Sequence, residues 1–344
     1  MSQSPRNGAP VWVGVDVGGT KVLAAVVGED GSLGRVARRS TPGRSVEPRQ
    51  VEDALTEAVL EAADGAPLAG VGLAAAGFVD ATGQRVVFAP HLPWRSDPVR
   101  DRLSEHWGTP VVLENDATCA LVAEAEYGAA RGARSVVLVT MGTGIGGALM
   151  LDGRVVRGAG GMAGEFGHMQ VVPDGAPCEC GGQGCWEQYS SGNALLRAAR
   201  SSLGASTSSG QAGGLGGSVE PGPTLMEQMC EGNPARLTGP MVTEAAAQGD
   251  LVARRAFAVV GDWLGVGLAN LVAALDPELL VVGGGVSAAG DRLLEPARQA
   301  LSRSLVAASH RVVPPVLPAA LGPEAGLIGA AVLCRRRVLG GAQE

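Results

Sequence analysis

Between positions 165 and 187 the chain places Glu165, His168, Cys178, Cys180, Cys185 and Glu187. One imidazole and three thiolates can fill the four positions of a tetrahedral zinc ion. None is then left for water, so the ion would be structural and not catalytic. Gly181, Gly182 and Gly184 allow the tight turns that such a knuckle needs. The Cys-x-Cys spacing is shorter than the usual zinc-finger pair, which argues against a nucleic-acid finger. The opposing reading has the three cysteines packing as small apolar groups. Glu165 and Glu187 flank the knuckle, and rigid carboxylates there would accept hydrogen bonds from a hydroxyl-rich substrate.

A further acid stands at the end of an apolar run, Val111-Val112-Leu113, which stops at Glu114-Asn115-Asp116. Strand ends are where α/β proteins bind ligands. A carboxylate at Asp116 could take the proton of an alcohol as its oxygen attacks phosphorus. The same residues could instead cap a helix starting at Ala117. Gly77 closes a similar small-residue run, Ala74 to Ala76, and its backbone could reach the same ligand.

Three glycine loops suit close approach to phosphate: Asp16 with Gly18-Gly19-Thr20-Lys21, Gly142-Thr143-Gly144-Ile145-Gly146-Gly147, and Gly283-Gly284-Gly285. Thr20 and Thr143 add hydroxyl donors, and Asp16 could position magnesium through water. The second loop matches the dinucleotide pattern at Gly142, Gly144 and Gly147. That pattern must open a helix, whereas Ala148 to Leu151 reads as a strand. Loop 18–21 also lacks the glycine spacing of a Walker motif.

The elements that must position these groups follow from periodicity. Val11–Asp16 and Val22–Val27 form a hairpin around the first loop. Helical spacing of Val51, Leu55, Ala58, Val59 and Ala62 gives a helix, then Gly70–Ala76 and Val111–Leu113 give core strands. The pattern restarts with strands 136–140 and 148–151, a long helix over 251–275, a strand over 279–282, and helices over 293–305 and 324–334. Two glycine-turn hairpins, each followed by strands and helices, predict two related α/β halves. Ser201–Thr224 is rich in Ser and Gly and is expected to be a flexible surface insertion.

The chain has 344 residues, a net charge of −7 and 46% hydrophobic residues. The length fits about two domains, and the negative charge argues against nucleic acid as a partner. The stretch 257–275 is broken by Asp262 and Asn270, so it reads as a buried helix rather than a membrane span. No apolar leader precedes Val11. Outside the knuckle, Cys119, Cys230 and Cys334 are scattered, as expected of a cytoplasmic protein without a disulfide framework. Lys21 is the single lysine of the chain.

Taken together, Asp16-x-Gly-Gly-Thr-Lys21, Glu114-Asn-Asp-Ala117, Gly142-Thr-Gly-Ile-Gly-Gly147, Gly164-Glu165-x-Gly-His168, Cys178-x-Cys-Gly-x-x-Gly-Cys185-x-Glu187 and Val281-Val-Gly-Gly-Gly285 resemble the ROK family of sugar kinases, nearest to its zinc-containing bacterial glucokinases. The resemblance implies an α/β, actin-like ATPase (ribonuclease H-like) fold of two lobes with an ATP cleft between them. It implies a small lobe over 1–116, completed by a C-terminal helix over about 322–338, and a large lobe over 117–321. Loops 16–21, 142–147 and 283–285 would hold ATP. Asp116 would be the general base, and Gly77, Asn115, Asp116, Glu165, His168 and Glu187 would face the sugar. His168, Cys178, Cys180 and Cys185 would hold zinc, and magnesium would accompany ATP. The implied reaction is phosphorylation of a hexose, glucose first, by a homodimer or homotetramer. Another hexose, polyphosphate as donor, or a sugar-responsive repressor are the alternatives. The repressor is disfavoured because no helix-turn-helix precedes Val11.

Overall fold

The computed structural model describes residues 8–208 and 223–340. In chain order its strands are β1 Val11–Val17, β2 Lys21–Val26, β3 Ala37–Ser40, β4 Leu68–Ala75, β5 Phe78–Val79, β6 Val86–Phe88, β7 Arg95–Asp97, β8 Val111–Asn115, β9 Val136–Met141, β10 Ile145–Leu151, β11 Arg154–Val155, β12 Leu279–Gly283 and β13 Val316–Pro318. Its helices are α1 Pro48–Ala63, α2 Val99–Trp107, α3 Asp116–Tyr127, α4 Gly192–Ser208, α5 Leu225–Met229, α6 Gly239–Ala247, α7 Leu251–Leu275, α8 Asp291–Ser304 and α9 Ala325–Gly340. The strands form sheets ordered β3-β2-β1-β4-β8, β11-β10-β9-β12-β13 and β5-β6-β7.

Contacts divide the chain into two compact units. The first runs to Leu138 and takes in 147–164 and the chain from Ala319. The second comprises Val139–Gly146 and Glu165–Pro318. The boundary therefore falls beyond the 116 expected from the sequence. The reason is that α3 packs on α9 and stays with the first unit.

In the first unit β1 pairs antiparallel with β2 and parallel with β4, which pairs parallel with β8. The buried stripe of α1 covers one face through Val51, Leu55, Ala58, Val59 and Ala62, at the helical spacing read from the sequence. Helix α9 lies on the sheet so closely that side chains are excluded beneath it. A Cβ on Gly14 would sit 1.9 Å from the Leu327 carbonyl oxygen, and one on Gly72 1.9 Å from that of Ala330. Glu124, fully buried on α3, accepts from the amides of Ala129, Ala320 and Leu321, so the entry to α9 is tied to α3.

In the second unit β12 pairs parallel with β13. Helix α7 is capped by Asp250, whose Oδ1 accepts from Val252 and Ala253 N–H at 2.9 Å. It is long and apolar enough to cross a membrane by length and composition. Here it packs along α8 instead, and Gly265 admits the Ala297 carbonyl where a Cβ would stand at 2.3 Å. The stretch expected to be a flexible insertion is partly helical, because 201–208 continue α4. Thr224 forms a capping box with Glu227 at the start of α5. Positions 209–222 lie outside the described residues.

Candidate sugar-kinase site

In the first unit β8 runs straight into α3, and the junction carries the acid. Asn115 is the helix cap: its Oδ1 accepts from Thr118 N–H at 3.0 Å. Asp116 is the first helical residue, so capping does not occupy it. Its Oδ1 accepts from Ala117 N–H at 2.8 Å and from Asn115 Nδ2 at 3.0 Å. Among the described residues no donor from another residue reaches Oδ2. Removal from water pushes the Asp116 carboxyl up, against hydrogen bonds from Ala117, its own backbone and Asn115 that pull it down. The Asn115 amide also donates to the Gly77 carbonyl at 3.1 Å, which ties Gly77 to the same strand end.

Asp16 stands on β1 in the same unit. Burial, then the charge of Asp116, push its pKa up to about 7, while Lys21 opposes them. The turn after it is clamped from several sides. Gly18 N–H donates to the Lys21 carbonyl at 3.0 Å, Thr41 Oγ1 to the Gly18 carbonyl at 2.7 Å, and Thr41 N–H to the Thr20 carbonyl at 3.0 Å. Gly19 abuts His91, where a Cβ would lie 2.4 Å from the histidine Cβ.

In the second unit the knuckle folds as its spacing requires. Cys178 N–H donates to the Gly182 carbonyl at 2.9 Å, and Gly181 N–H to the Cys178 carbonyl at 3.0 Å. Gly181 and Gly184 both take positive φ, and a Cβ on Gly184 would collide with the Val172 carbonyl at 1.7 Å. One ligand atom from each of His168, Cys178, Cys180 and Cys185 lies within 4.8 Å of all the others. Cys178 Sγ is 3.8 Å from His168 Nδ1, and Cys180 Sγ is 3.6 Å from Cys185 Sγ. A tetrahedral ion with bonds of about 2.3 Å separates its ligands by about 3.8 Å, so this donor set fits zinc. The sulfurs are far beyond the roughly 2.05 Å of a disulfide. Burial and then the neighbouring thiols push Cys185 up to about 12, so an ion bound here would have to displace the thiol proton.

The knuckle is bolted to α7. Trp186 is fully buried and donates from Nε1 to the Trp263 carbonyl at 2.7 Å, and Ser190 Oγ donates to the Val260 carbonyl at 3.0 Å. Glu165 and His168 bracket a single turn of 3₁₀-helix, with His168 Nε2 3.8 Å from Glu165 Oε2. Glu187 lies on the other side of the ring, its Oε1 3.8 Å from His168 Nδ1 and 3.2 Å from Cys178 Sγ. Its Oε2 accepts from Ile145 N–H at 3.4 Å.

That contact joins the knuckle to the loop between β9 and β10. The turn itself is Gly142–Gly144, and β10 follows it directly, so this glycine pattern opens a strand as the sequence indicated. Gly142 N–H donates to the Gly144 carbonyl at 3.0 Å, while the Gly142 carbonyl accepts from Gly192 N–H at the start of α4 at 2.8 Å. Gly284 packs on Met141 in the same unit, its missing Cβ leaving 2.5 Å to the Met141 carbonyl oxygen. Gly285 has open space around it.

Two further charged residues belong to the Asp116 strand end. Glu114 Oε1 accepts from Asn115 N–H at 3.0 Å, and Arg157 Nε donates to Glu114 Oε2 at 2.6 Å. Glu114 was visible as a charged residue closing an apolar strand. Arg157 gave no sequence signal, because its pairing spans 43 positions.

The ROK family model matches residues 12–337. The chain belongs to the ROK family. A glucokinase of Streptomyces coelicolor is 39% identical over 323 residues, covering 94% of this chain and 97% of that one. A glucokinase of Thermotoga maritima is 32% identical, covering 95% and 98%. The crystal structure of a ROK family glucokinase from Streptomyces griseus in complex with glucose and AMPPNP is 40% identical, with a TM-score of 0.83 and coverage of 95% and 99%. This ROK chain therefore has the actin-like ATPase fold expected from its motifs.

Proposed function

We propose that the protein phosphorylates a hexose, glucose in the first place, with ATP as donor, giving glucose 6-phosphate and ADP. The observation that carries this is the free Oδ2 of Asp116, held at a strand end by Asn115 and Ala117, in a chain 40% identical to a glucokinase crystallised with glucose and AMPPNP. In this reading Asp116 Oδ2 takes the proton of the sugar hydroxyl. The hydroxyl oxygen then bonds to the γ-phosphorus as the bond to the ADP oxygen breaks. A carboxyl pushed up from the usual range is a better proton acceptor near neutral pH than an ordinary aspartate.

Gly77, Asn115, Glu165, His168 and Glu187 contact sugar hydroxyls. Amides of Gly18, Gly19, Thr20, Gly142, Thr143 and Gly144, with Lys21, hold phosphates, and Gly283–Gly285 approach the adenosine. Magnesium neutralises triphosphate charge when bound, and Asp16 would position it through water. Zinc on His168, Cys178, Cys180 and Cys185 serves as a rigid frame. We place the enzyme in the cytoplasm as a homo-oligomer.

A panel of glucose, fructose, mannose and N-acetylhexosamines, each with ATP or polyphosphate, tests the reading. Glucose with ATP is expected to give the highest kcat/KM. Each deoxy-glucose lacking an engaged hydroxyl is expected to lose roughly tenfold, because a carboxylate is left under-satisfied. No phosphoryl transfer to any of these sugars would refute the proposal.

A further inference from the structure

The Asp116 strand end is crowded with charge. Glu114 is 7% exposed and lies two residues before Asp116 on the same chain. Burial first, and then the charges of Glu114, Asp116 and Asp16, raise the thiol of Cys119, one turn into α3, while Arg157 lowers it. Three carboxylates and one guanidinium therefore share this corner of the first unit. Asp16 on β1 and Asp116 feel each other's charge, with Lys21 opposing on the Asp16 side, while Glu114 on β8 and Arg157 reach Cys119, one turn beyond Asp116 on α3.

Arg157 sits on a segment with no regular structure, 156–164, that leads into Glu165. The segment is seated on glycines. Gly158, Gly161 and Gly164 all take positive φ. A Cβ on Gly161 would meet the Val79 carbonyl oxygen at 2.2 Å, and one on Gly164 that of Gly147 at 2.4 Å. Ala163 N–H donates back to the Arg157 carbonyl at 3.0 Å. Arg157 Nε anchors the segment by charge to Glu114 Oε2 at 2.6 Å, with side-chain exposures of 24% and 9%. The other oxygen of Glu114 receives Asn115 N–H, so the pair reaches the residue that orients Asp116.

We propose that Arg157 and Glu114 form a positioning pair for Asp116: the guanidinium cancels the carboxylate beside the base and pins the segment leading into Glu165 to the same strand end. The proposal rests on the reading of Asp116 as general base. Neither residue touches the reacting atoms. Glu114 acts through the Asn115 amide and its charge, and Arg157 acts through Glu114.

The test is kcat/KM for glucose against pH in the parent enzyme, Arg157→Met, Glu114→Gln and the double variant, with circular dichroism as a folding control. Arg157→Met leaves an uncompensated carboxylate near Asp116, so the acid limb is expected to move to higher pH by on the order of one unit. Glu114→Gln leaves an uncompensated guanidinium, so the limb is expected to move to lower pH. The double variant is expected to return to within a few tenths of a unit of the parent. Because Arg157 also holds the segment, Arg157→Met is expected to raise KM for glucose several-fold with KM for ATP unchanged. If Arg157→Met does not fold, Arg157→Lys takes its place: it keeps the charge, so the limb is expected to stay while KM for glucose rises. Single variants that shift the limb in the same direction, or lower activity without shifting it, would show a purely structural role and overturn the proposal. Asp116→Asn is measured alongside. If it keeps full turnover the base assignment itself fails. If it is inactive while the two limbs move together, only the pairing fails.

Discussion

Gly144→Ala separates the sugar role of Glu187 from a purely structural one. A Cβ at position 144 would lie 2.3 Å from Glu187 Oε2 and 3.4 Å from its Cδ, with no other residue within 4 Å among those described apart from its chain neighbours. Ordinary contact requires the carboxylate tip to retreat by about 1 Å. The backbone at Gly144 has no positive φ, so alanine itself is not strained. The obstacle is the end of a flexible side chain, and its hydrogen bond to Ile145 N–H is already long at 3.4 Å. The stability cost is therefore expected to stay below about 1 kcal/mol, less than one hydrogen bond. A catalytic or binding group misplaced by about 1 Å costs on the order of 10²-fold in activity. Steady-state kinetics with glucose varied at saturating ATP should show kcat/KM falling by about that factor through KM. A melting curve without sugar should barely move. An unaltered KM for glucose would refute the sugar role of Glu187. A raised KM for ATP alone would show instead that the loop, and not the acid, was harmed.

Other perturbations test separate parts of the account. Protein purified without chelator should contain one zinc per chain by elemental analysis. Cys180→Ser should lose it, lower Tm by roughly 5 °C or more, and raise KM for glucose. An Asp16 carboxyl near pH 7 favours its neutral form in the folded state, so its contribution is fully present below about pH 4 and lost as pH rises towards 7. Asp16→Asn, assayed without nucleotide or divalent cation, should therefore match the parent's Tm at pH 4 and exceed it at pH 8. An equal difference at both pH values would contradict the shift. Gly14→Ala drives a Cβ into the backbone of α9 and should cost about 3 kcal/mol in urea melts. Gly160→Ala, with open space around it, should stay within about 0.5 kcal/mol.

Much of the architecture could be read from periodicity, because buried strands such as 111–115 and the 251–275 helix carry long apolar patterns. The zinc set was legible for a different reason, since all four ligands lie within 18 positions. The sequence left open whether Asn115 or Asp116 capped α3. The hydrogen bond from Thr118 N–H to Asn115 Oδ1 decides for Asn115 and leaves Asp116 out of the cap. Contacts between distant segments had no local signature. Glu124 on the amides before α9 and Arg157 on Glu114 depend on the chain returning after 196 and 43 residues, and the β5-β6-β7 sheet, though local, is built of strands only two or three residues long, too short to show an alternation. The Ser/Gly-rich composition from Ser201 hid the last turns of α4, because weak helix formers there give no apolar stripe.

The central claim is that Asp116 accepts the sugar proton during phosphoryl transfer from ATP. Its most direct test is a single-turnover measurement of glucose 6-phosphate formed from γ-labelled ATP, in the parent and in Asp116→Asn, at saturating glucose. Asn115 caps α3, so the variant should keep its fold and bind glucose. Phosphoryl transfer in the variant should fall by at least about 10²-fold. Transfer at the parent's rate by a folded Asp116→Asn protein would contradict the account.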